Sequence, residues 1–106
     1  MRMRTLVSAA ALTATTLVPV VAMDTPAHAA STRTWDRIAH CESGGRWHIN
    51  TGNGYFGGLQ ISKPTWDGYG GRKFARYPHG ATKWQQIRVA ERIQRGQGWG
   101  AWPSCA

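Results

Sequence analysis

The sequence predicts a small α+β domain, mainly α, with a short hairpin and one disulfide. Three observations predict it. Residues 34–42, 62–69 and 83–95 each read as a helix with its own capping residue. A glycine-rich run from Asn50 to Gln60 lies between the first two and carries turn residues. Two cysteines, Cys41 and Cys105, stand far apart in a domain too small to rely on its core alone.

The chain opens on a segment that reads as a secretory signal peptide. Met1-Arg2-Met3-Arg4 is positively charged, Leu6 to Ala22 is mostly apolar, and Ala27-His28-Ala29 supplies a small-x-small cleavage site. Residues 1–29 are therefore expected to be the leader and residues 30–106 the working domain. Pro19 interrupts the apolar run, which disfavours an uncleaved anchor. No other stretch is apolar for long enough to span a bilayer, so a secreted protein without stable membrane insertion is expected.

Export sets the reading of the cysteines. An oxidising compartment favours a bond, and two cysteines allow only one, Cys41–Cys105. The alternative is two free thiols. A zinc site would need paired spacing that the chain lacks, so no metal and no cofactor are expected.

Export also sets the reading of the charge. Taking Arg2, Arg4 and Asp24 from the 13 basic and 5 acidic residues leaves 11 and 4, a net of +7. Such a balance often marks nucleic-acid binding, but an exported protein meets anionic wall polymers and lipid headgroups instead. The bland alternative is a merely soluble cationic surface.

Residues Thr34 to Glu42 form the first predicted helix, with Thr34 as cap and Asp36 in the first turn against the dipole. Trp35, Ile38, Ala39 and Glu42 share its apolar side. Ser43-Gly44-Gly45 ends it. Trp47 to Ile61 reads as a short irregular hairpin turning at Thr51-Gly52-Asn53-Gly54. Ser62 caps a second helix bearing Pro64, Thr65, Trp66 and Tyr69, which Gly70-Gly71 stops. Arg72 to Ala81 reads as a loop. Thr82 and Gln85 form a capping box for a third helix over 83–95, with Trp84, Ile87, Val89, Ala90 and Ile93 on a wide apolar arc. The tail from Gly96 to Pro103 is glycine and tryptophan, too irregular for a helix, and Cys105 ties it back beside Glu42. Gly52, Gly54 and Gly57 match G-x-G-x-x-G, but a dinucleotide site needs a βαβ unit that this chain has no room for.

The working domain has four acidic residues. Asp36 is explained by the helix start, and Glu91, with Arg88 and Arg95 one turn away on either side, reads as an ion-paired face residue. Asp67 could face either way. Glu42 alone has a helix end, glycines and a cysteine around it. Aromatic and amide residues follow it in the glycine-rich run, which suits a carbohydrate site. The bland alternative is an ordinary surface carboxylate. Burial would raise the Glu42 carboxyl pKa and keep it protonated, provided that Arg46 does not point at it. Most glycosidases use two carboxylates, whereas one suffices where the substrate supplies the nucleophile. N-acetylated amino sugars do so, which points to peptidoglycan.

Several blocks then carry a resemblance. These are Trp35-Asp36, Cys41-Glu42-Ser43-Gly44-Gly45, Ile49-Asn50-Thr51-Gly52-Asn53-Gly54-Tyr55, Gly57-Gly58-Leu59-Gln60, Thr65-Trp66, Gln86-Ile87, Ala90-Glu91-Arg92 and Gly100-Ala101-Trp102-Pro103. In this order they resemble the catalytic domain of the actinobacterial resuscitation-promoting factors over essentially all of residues 30–106. The resemblance implies a lysozyme-like fold and a secreted, cell-wall-associated enzyme that cuts the MurNAc–GlcNAc bond of peptidoglycan. It puts the catalytic acid on Glu42 and the disulfide on Cys41 and Cys105. It puts glycan contacts on Tyr55, Gln60, Thr65 and Gln97, with Asn53 and Trp66 on the same wall. The similarity of that family to lytic transglycosylases implies either a hydrolysed end or a 1,6-anhydro product. Two features depart from the family: Ile61-Ser62 follow Gln60 where Phe and then Asp or Ser are frequent, and residues 72–79 are more basic.

The expected partners are peptidoglycan glycan strands, with no nucleic acid, and the expected state is a monomer. A competing function is a wall-binding or signalling module that keeps the cleft and turns over poorly. The intact Glu42 favours the enzyme, and the missing second carboxylate favours the module.

Overall fold

The computed structural model describes residues 30–106; the expected leader, residues 1–29, lies outside the described residues. Three helices carry the domain: α1 (Thr32–Ser43), α2 (Lys63–Gly68) and α3 (Lys83–Gln97). Between α1 and α2 lie two short antiparallel strands, β1 (Tyr55–Phe56) and β2 (Ile61–Ser62). The architecture is the mainly helical α+β one expected, closed by a Cys41–Cys105 disulfide with Cα atoms 5.6 Å apart.

Helix α1 starts earlier than its sequence suggests. Ser31, not Thr34, is the cap, and its side chain accepts from the Thr34 amide. Asp36 is therefore beyond the first turn, and it pairs with Lys83 at the start of α3, 2.7 Å away, instead of serving the dipole. The other end is as predicted. Gly44 takes φ +69°, and the Gly44 and Gly45 amides close on the carbonyls of His40 and Ala39.

The hairpin differs in where it turns. Tyr55 pairs with Ser62 and Phe56 with Ile61, so the turn of the two strands is Gly57-Gly58-Leu59-Gln60. Residues 51–54 also reverse the chain, but between Asn50 and Phe56, which form an isolated bridge. The Asn50 and Asn53 side chains accept from the amides of Gly52 and Tyr55 and stabilise that loop.

Ser62 caps α2 and Thr82-Gln85 make the expected capping box on α3. The segment read as a loop holds two short 3-10 turns, Gly71–Lys73 and Pro78–Gly80, and the tail holds another, Trp99–Ala101.

One core joins these pieces. Trp35, Ile38 and Ala39 of α1 meet Ile87, Val89, Ala90 and Ile93 of α3, with Leu59, Ile61, Trp66 and Trp102 around them. Each large side chain buried there contributes on the order of 1.5–3 kcal/mol. Trp35 packs against both Trp99 and Trp102, with ring centroids 5.3 and 5.2 Å away, which seats the C-terminal tail on α1. Trp84, placed on the apolar arc by spacing, is 61% exposed; it lies at the first turn of α3, where Lys83 sits over its ring. Gln86 occupies the buried position instead and is fully enclosed.

Candidate active site

The end of α1, the hairpin, the end of α3 and the tail enclose one groove with two lobes. The wide lobe, about 360 Å³, is lined by Glu42, Asn53, Tyr55, Gln60 and residues 101–105. The narrow lobe, about 70 Å³, is lined by Tyr55, Gln60, Ser62, Thr65, Gln97 and Trp102 among others. Tyr55, Gln60, Ala101 and Trp102 belong to both, so the lobes adjoin. The wide lobe has the size of a small-molecule site.

Glu42 is the only acidic residue lining either lobe among the described residues. It is half-buried, and burial pushes its carboxyl pKa above the ordinary value. No cation pairs with it among the described residues. Among the described residues the ion pairs are Lys63–Asp67 at 2.8 Å and Lys83–Asp36 at 2.7 Å. Arg46 turns its Nε to the Ser43 carbonyl at 2.8 Å instead of to Glu42. Asp67 is thus accounted for by an i,i+4 pair. Glu91, expected to pair with arginine, joins neither ion pair and does not line the groove.

The other expected residues divide. Tyr55 is 51% exposed on the groove wall, which leaves its ring free to stack on a sugar. Asn53 donates to Gln60 Oε1 at 3.4 Å, so two amide side chains meet in the wide lobe. Thr65 accepts from the Ser62 hydroxyl in the narrow lobe, and Gln97 reaches that lobe from the last residue of α3. Trp66 is a correction. It is 0% exposed and lines neither lobe, and its indole N–H donates to the Ala75 carbonyl at 2.8 Å. Helix α2 is short, and its one fully buried side chain, that of Trp66 next to Thr65, closes the core.

Trp102 serves both core and groove: it is 3% exposed, yet its edge lies in both lobes. Pro103 and Ser104 also border Glu42 and were not singled out as wall residues. The signal available was their place beside Cys105, which the disulfide brings to the Glu42 helix. No group of three or more His, Cys, Asp or Glu able to hold a metal exists among the described residues.

Gln60 adopts φ +53°, the one non-glycine residue in the left-handed region among those described. Its side chain donates back to the Gly57 carbonyl at 3.1 Å. A side chain in this conformation costs about 1 kcal/mol over glycine. Gln60→Gly and Gln60→Ala both lose the amide, but only glycine relieves the backbone. We expect Gln60→Gly to be the more stable of the two by about 1 kcal/mol in denaturant unfolding. Equal stability would mean that the turn imposes no strain.

A family model described as a transglycosylase-like domain matches residues 29–105. The chain is similar to resuscitation-promoting factor Rpf1 of Corynebacterium glutamicum, 64% identical over 80 residues, covering 76% of this chain and 42% of that protein. It is 52% identical over 86 residues to resuscitation-promoting factor Rpf of Micrococcus luteus, covering 81% of this chain and 37% of the relative. With resuscitation-promoting factor RpfD of Mycobacterium tuberculosis it shares 49% over 96 residues, covering 91% and 60%. The chain spans less than two thirds of the length of each of these relatives.

Proposed function

The chain belongs to the transglycosylase-like domain family of the resuscitation-promoting factors, and from that premise we propose that it cuts peptidoglycan glycan strands at the MurNAc–GlcNAc bond. Glu42 is the general acid and base. The observation that carries this reading is a half-buried carboxyl group that, among the described residues, pairs with no cation and is the one acid lining the groove.

The chemistry follows from that arrangement. Glu42 in its protonated form, which burial favours, donates its proton to the bridging oxygen as the bond from MurNAc C1 breaks. The bonding pair leaves with the GlcNAc oxygen, and positive charge develops at C1. With no second carboxylate lining the groove among the described residues, the substrate's own acetamido oxygen stabilises that charge. Glu42, now a carboxylate, takes a proton from the group that attacks C1. If water attacks, the product has a hydrolysed end. If the MurNAc 6-hydroxyl attacks, the product is 1,6-anhydro-MurNAc and no water is consumed. Tyr55 stacks on a sugar face, while Gln60 and Asn53 orient it by hydrogen bonds and Thr65 and Gln97 extend the contacts into the narrow lobe.

The protein acts as a secreted monomer at the cell wall, once residues 1–29 are removed. No helix among the described residues is long and apolar enough to cross a membrane. Purified peptidoglycan incubated with the protein and analysed by mass spectrometry tests the reading. We expect released fragments ending in MurNAc or its anhydro form, which differ by one water. Intact strands that co-sediment with the protein would favour the wall-binding module instead.

A further inference from the structure

We propose that Gln86, which lines neither lobe of the groove, is a positioning residue for the Glu42 reaction: it holds the Gly57–Gln60 turn in register with the end of α1. The inference rests on the reading of Glu42 as the acid.

Gln86 is 0% exposed and spends its carboxamide on three backbone groups. Its Oε1 accepts from the Gly58 amide at 3.0 Å. Its Nε2 donates to the Trp47 carbonyl at 2.8 Å and to the Ala81 carbonyl at 3.0 Å. Only one orientation of the carboxamide fits one donor and two acceptors. Those partners belong to the loop after α1, the hairpin turn and the entry to α3, so one side chain ties three segments together.

The same turn is held from two other sides. Ser43, the residue after Glu42, has its hydroxyl 2.9 Å from the Gly58 carbonyl and 3.0 Å from the Ala39 carbonyl, and shares its one proton between them. Trp102 donates its indole N–H to the Leu59 carbonyl at 3.0 Å. Gly58 is therefore gripped through its amide by α3 and through its carbonyl by the Glu42 helix, while the tail grips the next residue. The two glycines make this approach possible: a Cβ on Gly57 would collide with the Gln86 carboxamide, and one on Gly58 with the Trp47 ring. Two-residue strands cannot set such a register alone. The turn ends on Gln60, which faces the groove beside Glu42.

An apolar side chain could fill the volume at position 86 but would leave the Gly58 amide and the Trp47 and Ala81 carbonyls without that partner. A fully satisfied polar hub adds a unique geometry. General acid catalysis depends on that geometry, since a misplacement of about 1 Å costs up to about 10²-fold in rate. Gln86 sets the separation between the acid and the amide wall that orients the sugar.

The test compares wild type with Gln86→Met, Ser43→Ala and Ile87→Val, at verified folding. Ile87→Val is the stability control: it trims the same helix in the core and removes none of the hydrogen bonds that hold the turn. On soluble peptidoglycan fragments we expect Gln86→Met and Ser43→Ala each to lower kcat about tenfold with KM little changed. Ile87→Val should keep the kcat of wild type. Carbon-13 NMR of the Glu42 carboxyl should show its pKa falling toward the ordinary value in both hub variants as the wall loosens and water enters. The Gln60 amide resonance should move with it. Should Gln86→Met fail to fold, Ser43→Ala carries the decision. Wild-type kcat and an unshifted Glu42 titration in a folded hub variant would overturn the proposal and leave Gln86 a core residue only. If wild type itself releases no product, the functional reading fails, while the titration and the Gln60 amide still decide the positioning.

Discussion

Glu42→Gln is expected to lower peptidoglycan solubilisation by about 10²–10⁴-fold, toward the upper end of what a general acid–base contributes. The amide fills the same space and cannot transfer a proton. Among the described residues no other acid lines the groove to share the work. Glycan binding should survive, because Tyr55, Gln60 and Asn53 remain. Asp67→Asn is the comparator: it removes a carboxylate already engaged by Lys63 outside the groove and should leave activity near wild type. More than about a tenth of the activity left in Glu42→Gln, or an equal loss in Asp67→Asn, would sink the single-acid mechanism.

The pH dependence follows with a definite sign. Burial raises the folded-state pKa of Glu42, so the folded protein holds a proton that the unfolded chain has lost in the window between the two values. The contribution of Glu42 to stability is therefore present below the unfolded value and lost as pH rises through the folded one. Activity should fall over the same upper limb, since the acid must start protonated. In Glu42→Gln both dependences should flatten.

Loss of the disulfide is expected to cost about 4 kcal/mol. The bond closes a separation of 64 residues, and the chain-entropy account gives roughly that value for such a loop. A domain of this size has about 4–11 kcal/mol in all, so the change takes a large share. Guanidinium unfolding of the Cys41→Ser/Cys105→Ser double variant against the oxidised protein measures it. A difference under about 1 kcal/mol would mean that packing of Trp99 and Trp102 on Trp35 holds the tail without the bond. A loss of groove function should accompany the loss of stability, because residues 101–105 are one wall of the Glu42 lobe.

Some of this was legible from residues alone. The capping box at Thr82 and Gln85 and the Gly44-Gly45 stop were readable because caps and helix ends are local, decided within one turn of chain. The Cys41–Cys105 bond was readable because two cysteines allow one pairing. Glu42 stood out because its neighbours end a helix and explain no other role.

Tertiary packing decided the rest. Spacing put Asp36 near a helix start, but Ser31 lengthened the helix and Lys83, distant in sequence, took the carboxylate. Two glycine-rich turns compete in the 50–62 segment, and cross-strand pairing chose residues 57–60 for the hairpin. The tryptophans look alike in sequence: Trp66 went to the core, Trp84 to solvent, and Trp102 to both core and groove. The left-handed Gln60 and the buried Gln86 were equally hidden. Their conformations are set by a turn pressed between two helices and a tail, and no local signal encodes a contact made across 28 or 43 residues.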